Sequence, residues 1–166
     1  YTYSQQIFTA AQLGIPAGTT LASISFQTTS TSISNWAVSK DWEVYLGNST
    51  KTTFATTTDW VPVTALTQVF NGAVTQPVAN TWWTISFSTP FVYTGGNLIV
   101  AVDENTPSYG GLLSWRGFTS GANSSITYRS DGTNPDPASP PTASSRSSII
   151  NHIQLSTPCS GTPSVG

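Results

Sequence analysis

Apolar residues in this chain recur at every second position, in short runs closed within a few residues by Gly, Pro, Asn or Thr. A period of two is that of a strand with one face buried, and no segment keeps helical spacing for three turns. In residues 21–27, Ala22, Ile24 and Phe26 fall on one face and Ser23, Ser25 and Gln27 on the other. Trp42, Val44 and Leu46 oppose Asp41, Glu43 and Tyr45 in the same way. In 82–88 the residues Trp83, Ile85 and Phe87 share a face, so the adjacent Trp82 must point away from the core. Residues 98–102 are apolar throughout, which predicts a central strand covered on both sides. Further strands are predicted at 2–9, 68–75, 112–118, 125–130 and 149–155. About nine short strands over one domain's length predict an all-β, antiparallel two-sheet β-sandwich of jelly-roll-like type. Its expected core centre is Trp83, Ile85, Phe87, Leu98, Val100 and Val102.

Two stretches break the alternation. Residues 28–40 are Ser/Thr-rich around Trp36, and 131–148 hold Pro135, Pro137, Pro140 and Pro141, so both read as long surface loops. The sandwich is expected to occupy 1–155, and 156–166, rich in Pro and Gly, to be a linker into a following module. The chain reads as a mature piece of something longer. Its lone cysteine, Cys159, has no second cysteine in the chain to bridge.

Charge narrows the partners. Only 7% of the residues are charged, against about a quarter in an ordinary soluble chain, and the net charge is −2. Five scattered Lys and Arg make no footprint for nucleic acid or an anionic membrane, and no apolar run is long enough for membrane insertion as a helix. The surface must be built from Ser, Thr, Asn and Gln.

Several segments can be set side by side: Tyr-Ser-Gln-Gln-Ile-Phe at 3–8, Thr-Asp-Trp-Val at 58–61, the run from Phe91 to Thr106, that from Tyr128 to Pro137, and Asn-His-Ile-Gln-Leu at 151–155. Together they resemble a β-sandwich module of large multi-domain secreted or surface proteins of the Bacteroidota. The resemblance covers nearly all of 3–155. It implies an extracellular or cell-surface location, a modular adhesive or glycan-binding role and no catalytic residues to carry over. It further implies that the tail opens an Ig-like repeat whose own cysteine would bridge to Cys159.

The residues themselves offer little catalysis. Nucleophilic chemistry needs a Ser or Cys activated by a base, and the sole His152 lies in the last predicted strand. One histidine and one cysteine make no zinc site. Asp41, Glu43, Asp59, Asp103, Glu104, Asp131 and Asp136 are the carboxylates available for pairing in glycoside hydrolysis, but their ordinary reading is as turn-forming surface acids. The chain is therefore read as a non-enzyme. Asp131, Thr133, Asn134 and Asp136 fall in one loop beside Gly132, an oxygen-rich set of the kind that holds Ca²⁺, with Asp103, Glu104 and Asn105 as the second choice. The plain alternative is a series of Asx turns beside prolines.

Aromatic residues are the stronger signal. Sugar rings stack their C–H faces on aromatic side chains while Asn, Gln, Asp and Arg bind the hydroxyls, and a neutral ligand needs no strong field. The ligand-binding candidates are Trp36, Trp60, Trp82, Tyr109, Trp115 and Arg116, with Trp42 and Trp83 assigned to the core. The sequons at Asn48 and Asn123 carry little weight in a bacterial chain. The leading expectation is a non-catalytic extracellular module that binds a polysaccharide or glycan. Its rivals are a structural spacer or adhesive filament subunit that contacts neighbouring protein modules, and an accessory domain of a secreted hydrolase.

Overall fold

A computed structural model describes residues 1–29, 39–108, 114–121 and 123–158. Eleven strands are present among them: β1 Thr2–Phe8, β2 Thr19–Gln27, β3 Asp41–Ser49, β4 Thr67–Ala73, β5 Trp82–Tyr93, β6 Asn97–Glu104, β7 Gly117–Thr119, β8 Ser125–Arg129, β9 Ser145–Ser147, β10 Ile149–Asn151 and β11 Ile153–Ser156. One antiparallel sheet has the order β4-β3-β6-β1-β8-β9, and another has the order β11-β2-β5. The pair β10-β7 is tied to the smaller sheet where Arg116 N–H donates to the Gln27 carbonyl and His152 N–H to the Arg116 carbonyl, both at 2.8 Å. The chain passes repeatedly from layer to layer, as expected of a jelly-roll-like β-sandwich.

Alternation explains the packing. From the large sheet Phe8, Trp42, Val44, Leu46, Leu98 and Val100 face Leu21, Ile24, Phe26, Trp83, Ile85, Phe91 and Tyr93 of the small one, closing the main core. The all-apolar β6 lies between β3 and β1, and its side chains go alternately to two covered faces. Leu98 and Val100 enter the main core, whereas Ile99 and Ala101 point to the opposite face of the large sheet. That outer face is roofed by residues 54–66 and 131–144, which bring Phe54, Trp60, Val61, Leu66 and Ala143 onto Ile7, Ile99 and Ile126. Gly47 makes room for the roof: a Cβ there would meet Leu66 Cδ2 at 2.4 Å.

The roof is also held by polar groups. Gln5, completely buried in β1, donates from Nε2 to the Val61 carbonyl at 2.8 Å and accepts from Val61 N–H at 2.8 Å. Its amide thus acts as one more rung of a ladder for a segment that is not itself a strand. Trp60 stacks on Tyr3, with ring centroids 5.0 Å apart, and its indole N–H donates to the Pro141 carbonyl, joining the two roof segments.

Several local features depart from expectation. Of the strand expected at 112–118, the described residues 114–118 hold only the start of β7, preceded by a single bridge between Trp115 and Thr28. The predicted strand 149–155 is two strands, because β10 pairs with β7 and β11 with β2. A short strand, β9, lies inside the proline-rich stretch and pairs with β8. β5 runs past Ser88 through Pro90, because the β2 register shifts between Leu21 and Ser23 and leaves Pro90 opposite no ladder partner. A single helical turn, α1 Ala10–Leu13, is closed by a reciprocal Thr9–Gln12 capping box and ends at Gly14 with φ +61°.

Candidate functional site

Parity in β5 decides which tryptophan is offered to solvent. Trp83 is buried and Trp82, opposite Gln27, is 38% exposed. On the small sheet the outward residues beside it are polar and uncharged: Ser23, Ser25 and Gln27 from β2, Thr84 and Ser86 from β5, Gln154 from β11. Ser25 and Thr84 hydroxyls bond across the ladder at 2.7 Å. Trp82 also lines an open cleft of about 520 Å³ with Gln12 and Leu13 of α1, Phe118, His152 and Gln154. His152 sits edge-on to Phe118 at 5.3 Å. Phe8, Ile15, Ile153 and Leu155 complete the lining, so the cleft is a largely apolar surface carrying three aromatic rings besides the imidazole, with two amides at hand and no carboxylate or Lys.

The remaining aromatic candidates are committed differently. Trp115 packs into a cluster with Trp83 at 5.5 Å, Phe26 at 5.6 Å and Trp42 at 6.0 Å. Trp60 is part of the roof, as described above. Arg116 is exposed and uses its backbone to tie β7 to the small sheet. Trp36 and Tyr109, like Cys159, lie outside the described residues.

A second cleft, of about 470 Å³, opens on the roofed face at the end of the large sheet. Register builds it: Glu43 of β3 stands directly opposite Asp103 of β6, which stands opposite Tyr3 of β1. Tyr45, one pleat along, donates its hydroxyl to Glu43 Oε2 and accepts from Gln68 Nε2 at 3.1 Å. The far wall is the loop carrying Asn134, Pro135, Asp136 and Pro137, joined to the sheet where Asn134 Nδ2 donates to Asn105 Oδ1 at 2.7 Å. Two oxygen-rich stretches that are separate in sequence thus meet here. Of the loop's predicted ligands, Asn134 and Asp136 line the cleft, whereas Asp131 and Thr133 are exposed outside it. Glu104, on the opposite parity, bonds Thr106 N–H at 2.9 Å. Glu43 is the member that loop-by-loop reading missed, since only cross-strand register delivers it.

Asp103 is the most deeply buried carboxylate of this cleft. It is 1% exposed; Oδ2 accepts from Asn105 Nδ2 at 3.1 Å, while Oδ1 has no hydrogen-bond partner among the described residues. Burial pushes its carboxyl up to about 7, against the Asn105 hydrogen bond, and the charges of Glu43, Glu104 and Asp136 push in the same direction. Burial likewise raises the Tyr3 hydroxyl to about 12. Tyr45 is also raised, by burial first and then by its hydrogen bond to Glu43.

No protein-family model, curated protein or solved structure matches the chain. Among the described residues no helix is long and apolar enough to cross a membrane.

Proposed function

We propose that this chain is a non-catalytic, extracellular module of a multi-domain bacterial surface or secreted protein, and that it binds carbohydrate at the Trp82 cleft. The observation that carries the reading is Trp82 itself, a large apolar ring left 38% exposed beside Gln12, His152 and Gln154. A pyranose lying on the indole would bury its C–H face there, while the two amides and the imidazole reach its hydroxyls. A neutral Ser/Thr/Gln face supports this, since a sugar displaces water from it without desolvating ions. The extracellular placement rests on the resemblance of residues 3–155 to Bacteroidota surface modules.

The test is a binding screen of the chain against cellulose, xylan, mannan, β-glucan and chitin, read by pull-down and tryptophan fluorescence. A saturable response that Trp82→Ala weakens at least about tenfold, equal to 1.4 kcal/mol, is the expected result. Absence of binding to every polysaccharide, or undiminished binding by Trp82→Ala, overturns the proposal.

A second reading, a spacer or filament subunit contacting other protein modules, draws on the small sheet. β11 and β5 are its outer strands, each laddered on one side among the described residues, and such edges accept a further strand. Concentration-dependent assembly in sedimentation velocity, with no glycan binding, is what this reading predicts.

A further inference from the structure

We infer that the Trp82 cleft selects an N-acetylated, uncharged amino sugar over a plain hexose, with the Gln154 amide reading the acetamido group; the inference rests on the carbohydrate reading above. The make-up of the lining is the first observation behind it. Leu13 of α1, Ile15 just after it, Phe118 of β7 and Ile153 and Leu155 of β11 pack against the main core but are only partly buried, so each presents carbon to the cleft. A hydroxyl brought onto such a surface gives up water and finds no partner. A methyl group gains there, at about 25 cal/mol per Å² removed from water. A ligand suited to this cleft therefore carries apolar substance beyond the C–H face that Trp82 would cover.

The second observation is which amide groups are free. Gln12 has its Oε1 engaged by Thr9 N–H in the capping box at 2.8 Å, which leaves only Nε2 to donate. Gln154 is exposed, and its side chain is not bonded to any described residue, so it offers a donor and an acceptor together. An acetamido group is the matching partner, since its N–H and carbonyl pair with one primary amide while its methyl rests on aliphatic carbon. Register supports the placement: Trp82 stands opposite Gln27 and Gln154 opposite Ser25, so the two lie on the same outward face, on either side of β2. Two strand spacings separate them, about 10 Å, and a pyranose stacked on the indole spans that gap with its acetamido arm. Charge is the third observation. No Asp, Glu, Lys or Arg lines the cleft, so a uronate, a sulfated sugar or a free amino sugar would bring an ion without a counter-ion, and acetylation is what neutralises the amine.

The experiment titrates the full chain with diacetylchitobiose, with cellobiose, which has hydroxyls where the first has acetamido groups, and with the deacetylated glucosamine dimer, read by tryptophan fluorescence and calorimetry. Diacetylchitobiose should bind at least about tenfold more tightly than either of the others. Gln154→Leu keeps the bulk and removes the amide, and should bring the ratio between diacetylchitobiose and cellobiose to within about twofold. The comparison of ligands on the unchanged chain stands even if that variant does not fold. Equal affinity for diacetylchitobiose and cellobiose, both weakened by Trp82→Ala, overturns the inference and leaves the carbohydrate reading in place. Tighter binding of the deacetylated dimer overturns it too, as does an undiminished acetamido preference in Gln154→Leu. Failure of all three sugars and of every polysaccharide in the screen overturns the inference and the carbohydrate reading together.

Discussion

Replacing Gln5 by Leu should loosen the roof over the outer face of the large sheet without emptying the main core. The Gln5 amide makes three hydrogen bonds: to the Val61 carbonyl at 2.8 Å, from Val61 N–H at 2.8 Å and to the Tyr3 hydroxyl at 2.9 Å. Leu fills nearly the same volume, so the dominant loss is the pairing of the two Val61 backbone groups. A buried backbone group left unpaired costs about 1–3 kcal/mol, and two would cost about 2–6 kcal/mol. Val61 is only partly buried, so water can reach the segment and the lower part of the range applies, about 2–4 kcal/mol. For a domain of this size that lowers the melting midpoint by about 5–15 °C. Urea unfolding gives the magnitude, and amide hydrogen exchange gives the place. Protection at Val61 should fall while that of β6 amides in the sheet centre falls only by the global loss. A Gln5→Leu variant within about 0.5 kcal/mol of wild type, with Val61 protection unchanged, would refute the idea that this side chain is the clamp.

Further outcomes follow from the same geometry. The Asp103 carboxyl, raised by burial from about 3.9 unfolded to about 7 folded, makes the folded state bind more protons between those values, so its contribution to stability is full below about 4 and is lost as pH rises through 7. Between pH 5 and pH 8 about two units of that difference are crossed, about 3 kcal/mol at most, and urea midpoints at the two pH values should show that fall in wild type and little of it in Asp103→Asn. Trp83→Ala should cost about 3–5 kcal/mol because Trp83 belongs to the tryptophan cluster, whereas Trp82→Ala should stay within about 1 kcal/mol, and chemical denaturation distinguishes the two. Val100→Asp places a carboxylate in the middle of the main core at a residue 3% exposed, and circular dichroism should show no cooperative unfolding transition.

How much of this fold the chain discloses depends on whether a residue's surroundings are local. The alternation in 21–27 and 82–88 reports burial directly, so the inward Trp83 and outward Trp82 follow from parity alone. The apolar run 98–102 discloses a strand covered on both faces, although not that the second cover is a roof of loops. Features that rest on pairing are another matter. The residues 149–155 alternate smoothly, yet the strand changes partner at His152, and nothing in the run marks it. β9, with the sequence Ser-Arg-Ser, carries no apolar side chain; it is a strand because β8 presents an unpaired edge and Arg146 reaches the carbonyls of Phe54 and Ala55.

The acidic cleft shows the same limit at the level of a site. Asp103, Glu104 and Asn105 are adjacent, and Asn134 and Asp136 are nearly so, which is why each stretch can be singled out as oxygen-rich. Parity then divides the first group, turning Asp103 toward the roofed face and leaving Glu104 to cap Thr106. The second group is divided by the loop's path, which brings Asn134 to Asn105 and leaves Asp131 in solvent. Glu43 enters from a strand some sixty residues away through register alone, opposite Asp103. Like charges directly opposite on a ladder are destabilising, and burying one of them adds to the cost. A sandwich with so few charges that places Glu43 against Asp103 under a roof carrying Asp136 must offset that repulsion: the Tyr45 hydroxyl and the Asn71 amide donate to Glu43, and burial raises the Asp103 carboxyl to about 7, so that below that pH a proton removes one of the two charges.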